Sequence, residues 1–420
     1  MQEGKTKAII VGVSTKEDRY DIKYSLDELK NLSETLDIEV VESFYQNLDK
    51  PNAKTYLGKG KLDEIKMYII VNKIELVIFN DELSPSQLRN NQEILEVECV
   101  DRTYIILTIF DERCKTSTAR MEIKLARDYY ELPRCDLLKG EESRIGGAGK
   151  TKGKGETTRE LDRRHLQAEI VNLLRKLKDI REKNKKAVEK RKEKGIPIVA
   201  LVGYTNAGKS TTMNTILDYT DNKKEVYAED KVFATLSTSS RHILYDKFEF
   251  ILTDTIGFIS KMPNYLINSF YSTLEEVKNA DLIIHVVDSS STYINEQIDV
   301  VMNTLYTIGA TNIPMKFLFN KWDKTISTEM ATPHYEYLHF SNYTKYNLEE
   351  LLKMIKNEFE HSFDVRLFIP YSDGKTISIC ESKLNISKKE YQDNGVYFEG
   401  TIEKDDYHLV MKYDLDNLVS

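Results

Sequence analysis

The first 110 residues alternate between short apolar runs and segments of helical periodicity. The pattern predicts strands at 8–13, 38–44, 76–79 and 97–100, and helices at 25–34, 61–71 and 85–95. Before the last of these helices, Ser84 and Pro85 are typical of an N-cap and a first helical position. Strands that alternate with helices predict a small parallel α/β domain over residues 1–112.

Residues 113–195 are charged and show helical periodicity without strand signals. One helix is predicted over 118–132 and a second over 158–193. The apolar stripe of the second consists of Leu161, Leu166, Ile170, Leu173, Leu177 and Ile180. Two amphipathic helices joined by a loop most simply pack as an antiparallel hairpin. The joining loop, 139–155, contains six glycines.

Apolar runs return after residue 195 and predict buried strands at 196–202, 248–253 and 315–319. A helix over 211–217 follows the first of them almost directly. These elements predict a second α/β domain over 196–361. The remaining residues, 362–420, predict a small α+β domain with strands at 365–369, 395–399 and 408–412.

Composition changes this picture in three respects. No stretch approaches 18 consecutive apolar residues, and the first residues lack the apolar segment of a signal peptide. Cys99, Cys114, Cys135 and Cys380 have no C-x-x-C spacing, so we expect reduced thiols and a cytoplasmic protein. The net charge is −8, yet residues 150–194 carry 17 Lys and Arg against 8 Asp and Glu. Such a run is usually a solvated helix face, but it also attracts nucleic-acid phosphates.

The most specific motif is Gly203-Tyr-Thr-Asn-Ala-Gly-Lys-Ser210, between a predicted strand and a predicted helix. G-x-x-x-x-G-K-S in this context predicts a phosphate-binding loop. Backbone N–H groups and the helix N-terminus surround the phosphates, Lys209 reaches the β- and γ-phosphates, and Ser210 ligates Mg²⁺. Nucleotide contacts are therefore expected from Gly203, Asn206, Ala207, Gly208, Lys209, Ser210 and Thr211.

A second motif, Asn320-Lys-Trp-Asp323, follows the strand at 315–319 about 110 residues after the loop. There the Asp323 carboxylate can accept hydrogen bonds from guanine N1–H and N2–H₂. Adenine lacks that donor pair and would leave the carboxylate unpaired. Asn320, Lys321 and Asp323 therefore predict guanine specificity.

A third motif, Asp254-Thr-Ile-Gly257, ends the strand at 248–253 as D-x-x-G. Asp254 is expected to hold Mg²⁺ through water, and the Gly257 N–H to meet the γ-phosphate. Upstream, 232–241 lies where a switch loop supplies a threonine to the metal, with Thr235 the first choice and Thr238 the second. The three motifs together predict a GTPase domain.

Phe258 occupies the position after D-x-x-G where many GTPases have a water-orienting glutamine. Phenylalanine neither donates nor accepts a hydrogen bond, so hydrolysis by the chain alone is expected to be slow and to need a partner. Asn206 is a candidate ligand for a potassium ion near the β- and γ-phosphates. The alternative role of Asn206 is a hydrogen bond that stabilises the loop.

Several separate strings, within the GTPase part and far outside it, resemble one family, the HflX-type ribosome-associated GTPases of the TRAFAC class. In the GTPase part they are Phe233-Ala-Thr-Leu236, Asp254-Thr-Ile-Gly-Phe-Ile259 and Thr273-Leu-Glu-Glu-Val277. Elsewhere they are Tyr56-Leu-Gly-Lys-Gly-Lys-Leu-Asp-Glu-Ile65, the segment 80–90, Asp101-Arg-Thr103, Leu132-Pro-Arg134, Gly146-Gly-Ala-Gly149, Gly155-Glu-Thr157 and Asp162-Arg-Arg164. The resemblance extends from about residue 5 to 370.

This resemblance implies a monomeric, cytoplasmic GTPase that uses GTP, GDP and Mg²⁺. It implies that the hairpin tip reaches the large ribosomal subunit and its RNA, with contacts from Arg144, Lys150, Lys152 and Lys154. The tip lacks the proline of the family's G-x-R-G-P-G-E. Ser341 matches the serine of the family's last guanine-binding motif, Ser-Ala, in which Asn342 replaces the alanine.

The expected function is therefore a ribosome-binding GTPase that splits or rescues stalled ribosomes. Two alternatives are a GTPase that gates an RNA-modifying partner and an RNA-binding scaffold in which GTP is structural. For Gly58-Lys-Gly-Lys61, a strand-to-helix turn is favoured over a second nucleotide site, and a surface contact with RNA stays open.

Overall fold

The computed structural model describes residues 5–17, 20–114, 116–135, 152–192, 196–220, 239–263, 265–266, 271–325, 335–359 and 362–415. The chain divides into two compact units, residues 1–347 and 348–420. Within the described ranges, none of the helices has the length and apolar character needed to cross a membrane. None of the four cysteines forms a disulfide.

The N-terminal part is a parallel sheet with strand order β2-β1-β3-β4. Its strands are β1 (Lys7–Ser14), β2 (Glu39–Asn47), β3 (Leu76–Phe79) and β4 (Glu98–Asp101). Its helices are α1 (Ile22–Thr35), α2 (Lys59–Asn72), α3 (Pro85–Leu95) and α4 (Arg102–Arg113). The predicted parallel α/β fold is confirmed, and Ser84 caps α3 in a reciprocal capping box with Gln87.

Helix α4 had no counterpart among the predicted elements. Its residues Ile105, Ile106, Leu107, Ile109 and Phe110 are all buried, so the segment has an almost continuous apolar run. Helical periodicity is visible in a sequence only when one face is polar. A helix buried on several sides gives no such signal.

Two helices follow, α5 (Ser117–Glu131) and α6 (Lys152–Lys192), and they pack together as predicted. Leu125 of α5 shares a buried cluster with Ile170, Leu173 and Leu177 of α6. Helix α6 begins at Lys152, six residues before its predicted start at 158. The stripe that marks the helix in the sequence begins only at Leu161, so it carries no information about these first turns.

The sheet of the third part has the order β10-β9-β8-β5-β7-β6, parallel except for the β6–β7 pair. Its strands are β5 (Ile198–Gly203), β6 (Ser239–Tyr245), β7 (Phe248–Asp254), β8 (Leu282–Asp288), β9 (Met315–Asn320) and β10 (Tyr337–His339). Its helices are α7 (Lys209–Tyr219), α8 (Tyr271–Lys278) and α9 (Ile294–Ile308). Because β5, β7 and β9 are parallel, the loops after them lie at one edge, where open α/β sheets bind ligands.

The second unit starts with α10 (Leu348–Phe359), whereas the sequence placed the last domain boundary at 361. It continues with β11 (Ser362–Pro370), α11 (Gly374–Lys383), β12 (Leu384–Gln392), β13 (Gly395–Glu403) and α12 (Lys404–Tyr407). The strands form an antiparallel sheet in the order β11-β13-β12. The predicted strand at 408–412 is wrong: the chain turns there and enters a 3₁₀ helix, Met411–Tyr413. Of these five residues only Val410 is buried, and one inward side chain does not define a strand face.

Candidate guanine-nucleotide site

The loop at 203–210 connects β5 to α7, as the motif requires. Gly208 is the N-cap of α7 and has a φ of +97°, a conformation that favours glycine. A Cβ there would lie 2.2 Å from the Asn320 amide nitrogen, so no side chain fits. Because glycine has no capping side chain, the first N–H groups of α7 are available to a bound anion.

Lys209 lies under this loop and is 6% exposed. Its Nζ donates to the carbonyl oxygens of Gly203 at 3.1 Å and Tyr204 at 2.8 Å. Burial lowers the pKa of Lys209 to about 8, and the nearby Asp254 carboxylate opposes this shift. The ammonium group is thus held against the loop by these two carbonyls, and bound phosphates would offset its desolvation.

Ser210, in the first turn of α7, meets Asp254 at the end of β7, where the Ser210 Oγ donates to the Asp254 carboxylate at 2.6 Å. A hydroxyl and a carboxylate side by side are hard oxygen ligands of the kind that Mg²⁺ prefers. These two residues therefore fit a magnesium ion carried by a nucleotide. Elsewhere in the described part of the chain, no cluster of three or more His, Cys, Asp or Glu side chains fits a metal.

Gly257 packs directly against the loop. A Cβ on Gly257 would lie 2.7 Å from the Thr205 Cα and 3.1 Å from the Lys209 Nζ. Next in the chain, Phe258 accepts from the Thr205 N–H at 2.8 Å and donates its own N–H to the Gly203 carbonyl at 3.1 Å. Its side chain is 3% exposed and belongs to the core of the sheet. Phe258 therefore contributes its backbone, and not a side chain, to the neighbourhood of the loop.

Asn320, at the end of β9, ties the guanine motif to the phosphate-binding loop. It is 1% exposed, and its Nδ2 donates to the Ala207 carbonyl at 2.8 Å. Its Oδ1 accepts from the Asn342 side-chain amide at 3.1 Å. Asn342 also donates to the Thr212 hydroxyl at 3.0 Å and accepts from the Thr215 hydroxyl at 3.0 Å. Asn342, which replaces the family's alanine, thus links its own loop to α7 and to the end of β9.

Asp323 lies in a short 3₁₀ turn, Trp322–Lys324, where its carboxylate accepts a hydrogen bond from the Ser341 hydroxyl. Lys321 donates to the Asp288 carboxylate at 2.8 Å, at the end of β8. The predicted guanine residues Asn320, Lys321, Asp323 and Ser341 therefore converge at one edge of the sheet. The sequence did not point to Asp288, and the partners of Asn342 depend on tertiary contacts that no local pattern encodes.

Several predicted residues are not part of this geometry. Thr235 and Thr238, Arg144 and Lys150 lie outside the described residues. Lys152 and Lys154 fall in the first turn of α6, where only the helix itself is described. Gly58, eleven residues after the end of β2, is the N-cap of α2, and its N–H donates to the Gln46 side chain at 2.9 Å. The choice between a turn and a second nucleotide site there stays a prediction.

Three features together define a GTPase. They are a P-loop after β5, a D-x-x-G carboxylate beside the P-loop serine, and an N-K-x-D turn at the end of β9. Family models match three consecutive segments. They are described as GTP-binding GTPase N-terminal (23–111), GTP-binding GTPase Middle Region (113–191) and 50S ribosome-binding GTPase (198–321).

Two relatives match most of the chain. GTPase HflX of Caldanaerobacter subterraneus subsp. tengcongensis is 38% identical, over 93% of this chain and 90% of the relative. GTPase HflX of Flavobacterium psychrophilum is 41% identical, over 80% of this chain and 82% of the relative. The chain therefore belongs to the HflX family of GTPases, which confirms the resemblance drawn from the sequence. Among solved structures, a complex of SsGBP with GDP is 25% identical over 84% of this chain and 98% of that one, with a TM-score of 0.45.

Proposed function

We propose that this GTPase binds the large ribosomal subunit in its GTP form, splits or rescues stalled ribosomes, and leaves after hydrolysis. The observation that carries the proposal is a GTPase site whose water-orienting position is Phe258, with its side chain buried in the core. A site of this kind needs a partner to reach full activity. One matched family model is described as a 50S ribosome-binding GTPase, which favours the ribosome as that partner.

In this proposal GTP or GDP lies on the loop 203–210, with Thr211 in the first turn of α7 and the guanine ring at Asp323 and Ser341. Lys209 neutralises the β- and γ-phosphates, and the Gly257 N–H donates to the γ-phosphate. Ser210, Asp254 and Thr235 would hold Mg²⁺, and the ion would neutralise phosphate charge. Asn320 and Lys321 support the guanine pocket through their hydrogen bonds to the Ala207 carbonyl and the Asp288 carboxylate.

The ribosomal contact is assigned to the hairpin. Residues 150–194 carry an excess of nine positive charges in a chain whose total is −8. Phosphate contacts from Arg144, Lys150, Lys152 and Lys154 would orient the hairpin tip on ribosomal RNA. We also propose that the protein acts as a monomer in the cytoplasm.

The first test measures GTP hydrolysis by the purified chain, alone and with isolated large ribosomal subunits, in potassium buffer. Subunits are expected to raise turnover at least tenfold, because they supply what Phe258 cannot. Deletion of residues 146–155 should abolish this rise while leaving GDP affinity unchanged, since the deletion lies outside the nucleotide site. No rise with subunits or with intact ribosomes would contradict the proposal.

Potassium is proposed as an additional cofactor at Asn206. Asn206 has a φ of +61°, and it lines a cavity of about 440 Å³ together with Thr205 and Asp288. A monovalent cation there would add fixed positive charge beside the phosphates. Turnover is expected to be several-fold higher in potassium than in sodium, and the difference should vanish in Asn206→Ala. Equal rates of the unchanged protein in both salts would exclude the ion.

A further inference from the structure

A buried ion pair in the N-terminal part lies against the GTPase site. Glu28 of α1 and Arg102 of α4 are 9% and 0% exposed, and the Arg102 Nη2 donates to the Glu28 Oε2. Arg102 belongs to the string Asp101-Arg-Thr103, which is not among the residues of the nucleotide site described above. Two desolvated charges are costly unless further hydrogen bonds satisfy them.

The further hydrogen bonds come from the GTPase part. The Tyr204 hydroxyl donates to the Glu28 Oε1, and the Ser260 hydroxyl donates to the Glu28 Oε2. The Ser260 N–H donates to the Tyr204 hydroxyl at 2.9 Å, and the Arg102 Nη2 donates to the Ser260 Oγ at 3.1 Å. We call Glu28, Arg102, Tyr204 and Ser260 the clasp.

The clasp joins the two segments that the proposed function places beside the γ-phosphate. Tyr204 is the second residue of the phosphate-binding loop, and Ser260 follows Gly257 by three residues. Between them, the Phe258 backbone is already hydrogen-bonded to Gly203 and Thr205. A shift at Ser260 would therefore move the Gly257 N–H relative to the loop.

Docking of the two parts does not by itself require Glu28. Ile256, Ile259 and Leu266 are buried in the core of the N-terminal part, and they supply apolar contact. Lys261 donates to Asp81 at 2.6 Å, and Tyr265 donates to Glu82 at 3.1 Å. Burial and the adjacent Glu28 carboxylate raise the pKa of Tyr204 well above its usual value, so its hydroxyl stays a donor. What the carboxylate adds is a fixed acceptor shared by both segments.

We propose that Glu28 is a positioning residue for GTP hydrolysis, acting through Tyr204 and Ser260 to set the place of the Gly257–Phe258 backbone against the phosphate-binding loop. Because Phe258 offers no side chain to the attacking water, that backbone is the part of the segment left to face the γ-phosphate. An N-terminal residue thus completes a site that the GTPase part does not complete alone.

The experiment compares two Tyr→Phe variants of the full chain. Tyr204→Phe removes the hydroxyl that joins Glu28 to Ser260. Tyr24→Phe removes a hydroxyl that donates to Tyr204 at 2.9 Å and makes no hydrogen bond to Ser260 in the described part of the chain. Single-turnover hydrolysis of GTP is measured without ribosomes, so the outcome does not depend on the proposed ribosomal partner.

Tyr204→Phe is expected to lower the rate at least tenfold with GDP affinity nearly unchanged, and to lower the melting temperature by a few degrees, because the buried Glu28 carboxylate loses one donor. Tyr24→Phe is expected to stay within twofold of the unchanged protein. Ser260→Ala should lower the rate similarly. The double variant Tyr204→Phe/Ser260→Ala should be no slower than either single variant, because both changes break the same set of hydrogen bonds. If Tyr204→Phe no longer binds GDP, Ser260→Ala decides by the same criteria. An unchanged or faster rate, or equal effects of the two Phe variants, would overturn the proposal.

Discussion

At the scale of single residues, His285 lies in the middle of the GTPase sheet. It is on β8 opposite Val202 and is 1% exposed, and its ring centre is 4.7 Å from that of Phe317. Burial, with a smaller effect of the Lys209 ammonium, lowers the pKa of His285 to about 3. The ring is therefore neutral in the folded protein throughout the physiological range.

This histidine predicts a loss of stability in mild acid. The unfolded chain binds a proton at His285 near pH 6.5, whereas the folded chain does so only near pH 3. As the pH falls below 6.5, the unfolded state therefore gains protons first and the free energy of unfolding decreases. Between pH 7 and pH 5.5 the decrease due to His285 should be about 1 kcal/mol.

His285→Asn removes this titration. Urea unfolding at the two pH values should show a smaller decrease for His285→Asn than for the unchanged protein. Other groups titrate in the same range, so the comparison concerns the difference between the two proteins. Parallel pH profiles would show that the folded protein accepts the proton at His285 without cost.

Residues with local signatures were predictable, and residues whose role lies in long-range contacts were not. Lys209, Asp254 and Asp323 belong to motifs with fixed spacing, and the structure brings these motifs to one edge of a sheet. Glu28 is one of many charged residues on an amphipathic helix, and its partners Tyr204 and Ser260 are about 180 and 230 positions away. Nothing in the local pattern distinguishes it from a solvated glutamate.

At the scale of elements, the contact of α5 with α6 depends on a narrow apolar seam. Leu177 is 1% exposed and lies in the cluster with Leu125 and Ile170. Leu174, three residues earlier on the same helix, is 41% exposed. The two leucines have the same chemistry in different surroundings.

Leu177→Ala is therefore expected to lower the free energy of unfolding by about 2–4 kcal/mol, through lost burial and the cavity left behind. Leu174→Ala serves as the matched control and should cost about 0.5 kcal/mol or less. Chemical denaturation measures both. Equal losses would mean that α6 packs on a different face from the one described.

The elements also show where periodicity fails. Strand β12 contains Lys388, Lys389 and Glu390 in succession, and most of its side chains are exposed. An edge strand held mainly by backbone pairing to β13 needs few apolar residues, so its sequence resembles a loop. The segment 408–412 gave the opposite error, since a short apolar run there forms no strand.

At the scale of the whole molecule, the N-terminal and GTPase parts share one hydrophobic core. Ile256, Ile259 and Leu266 of the GTPase part pack with Leu29 and Phe110 of the N-terminal part and with Ile123 of α5. A core common to two sheets couples their stabilities, because neither side can open without exposing the other. One compact unit, residues 1–347, therefore contains the first two predicted domains and the third as far as residue 347.

Ile259→Ala tests this coupling. Ile259 is 2% exposed, and its truncation should cost about 2–4 kcal/mol. Amide exchange in β3 of the N-terminal sheet and in β5 of the GTPase sheet should accelerate by the same factor. Acceleration confined to β5 would show that the two parts unfold independently.

The carboxyl edge of the N-terminal sheet is the place where an open parallel sheet ordinarily receives its ligand. Here the residues at that edge, Asp81, Glu82 and Arg102, bind Lys261, Tyr265 and Ser260. In the N-terminal domain, this place is occupied by the segment of the same chain that follows Gly257. In D-x-x-G proteins, the corresponding segment responds to the γ-phosphate. Binding of GTP and binding of this segment to the N-terminal domain are thermodynamically linked. If GTP changes the affinity of the segment for the N-terminal domain by some factor, docking of the segment changes the affinity for GTP by the same factor.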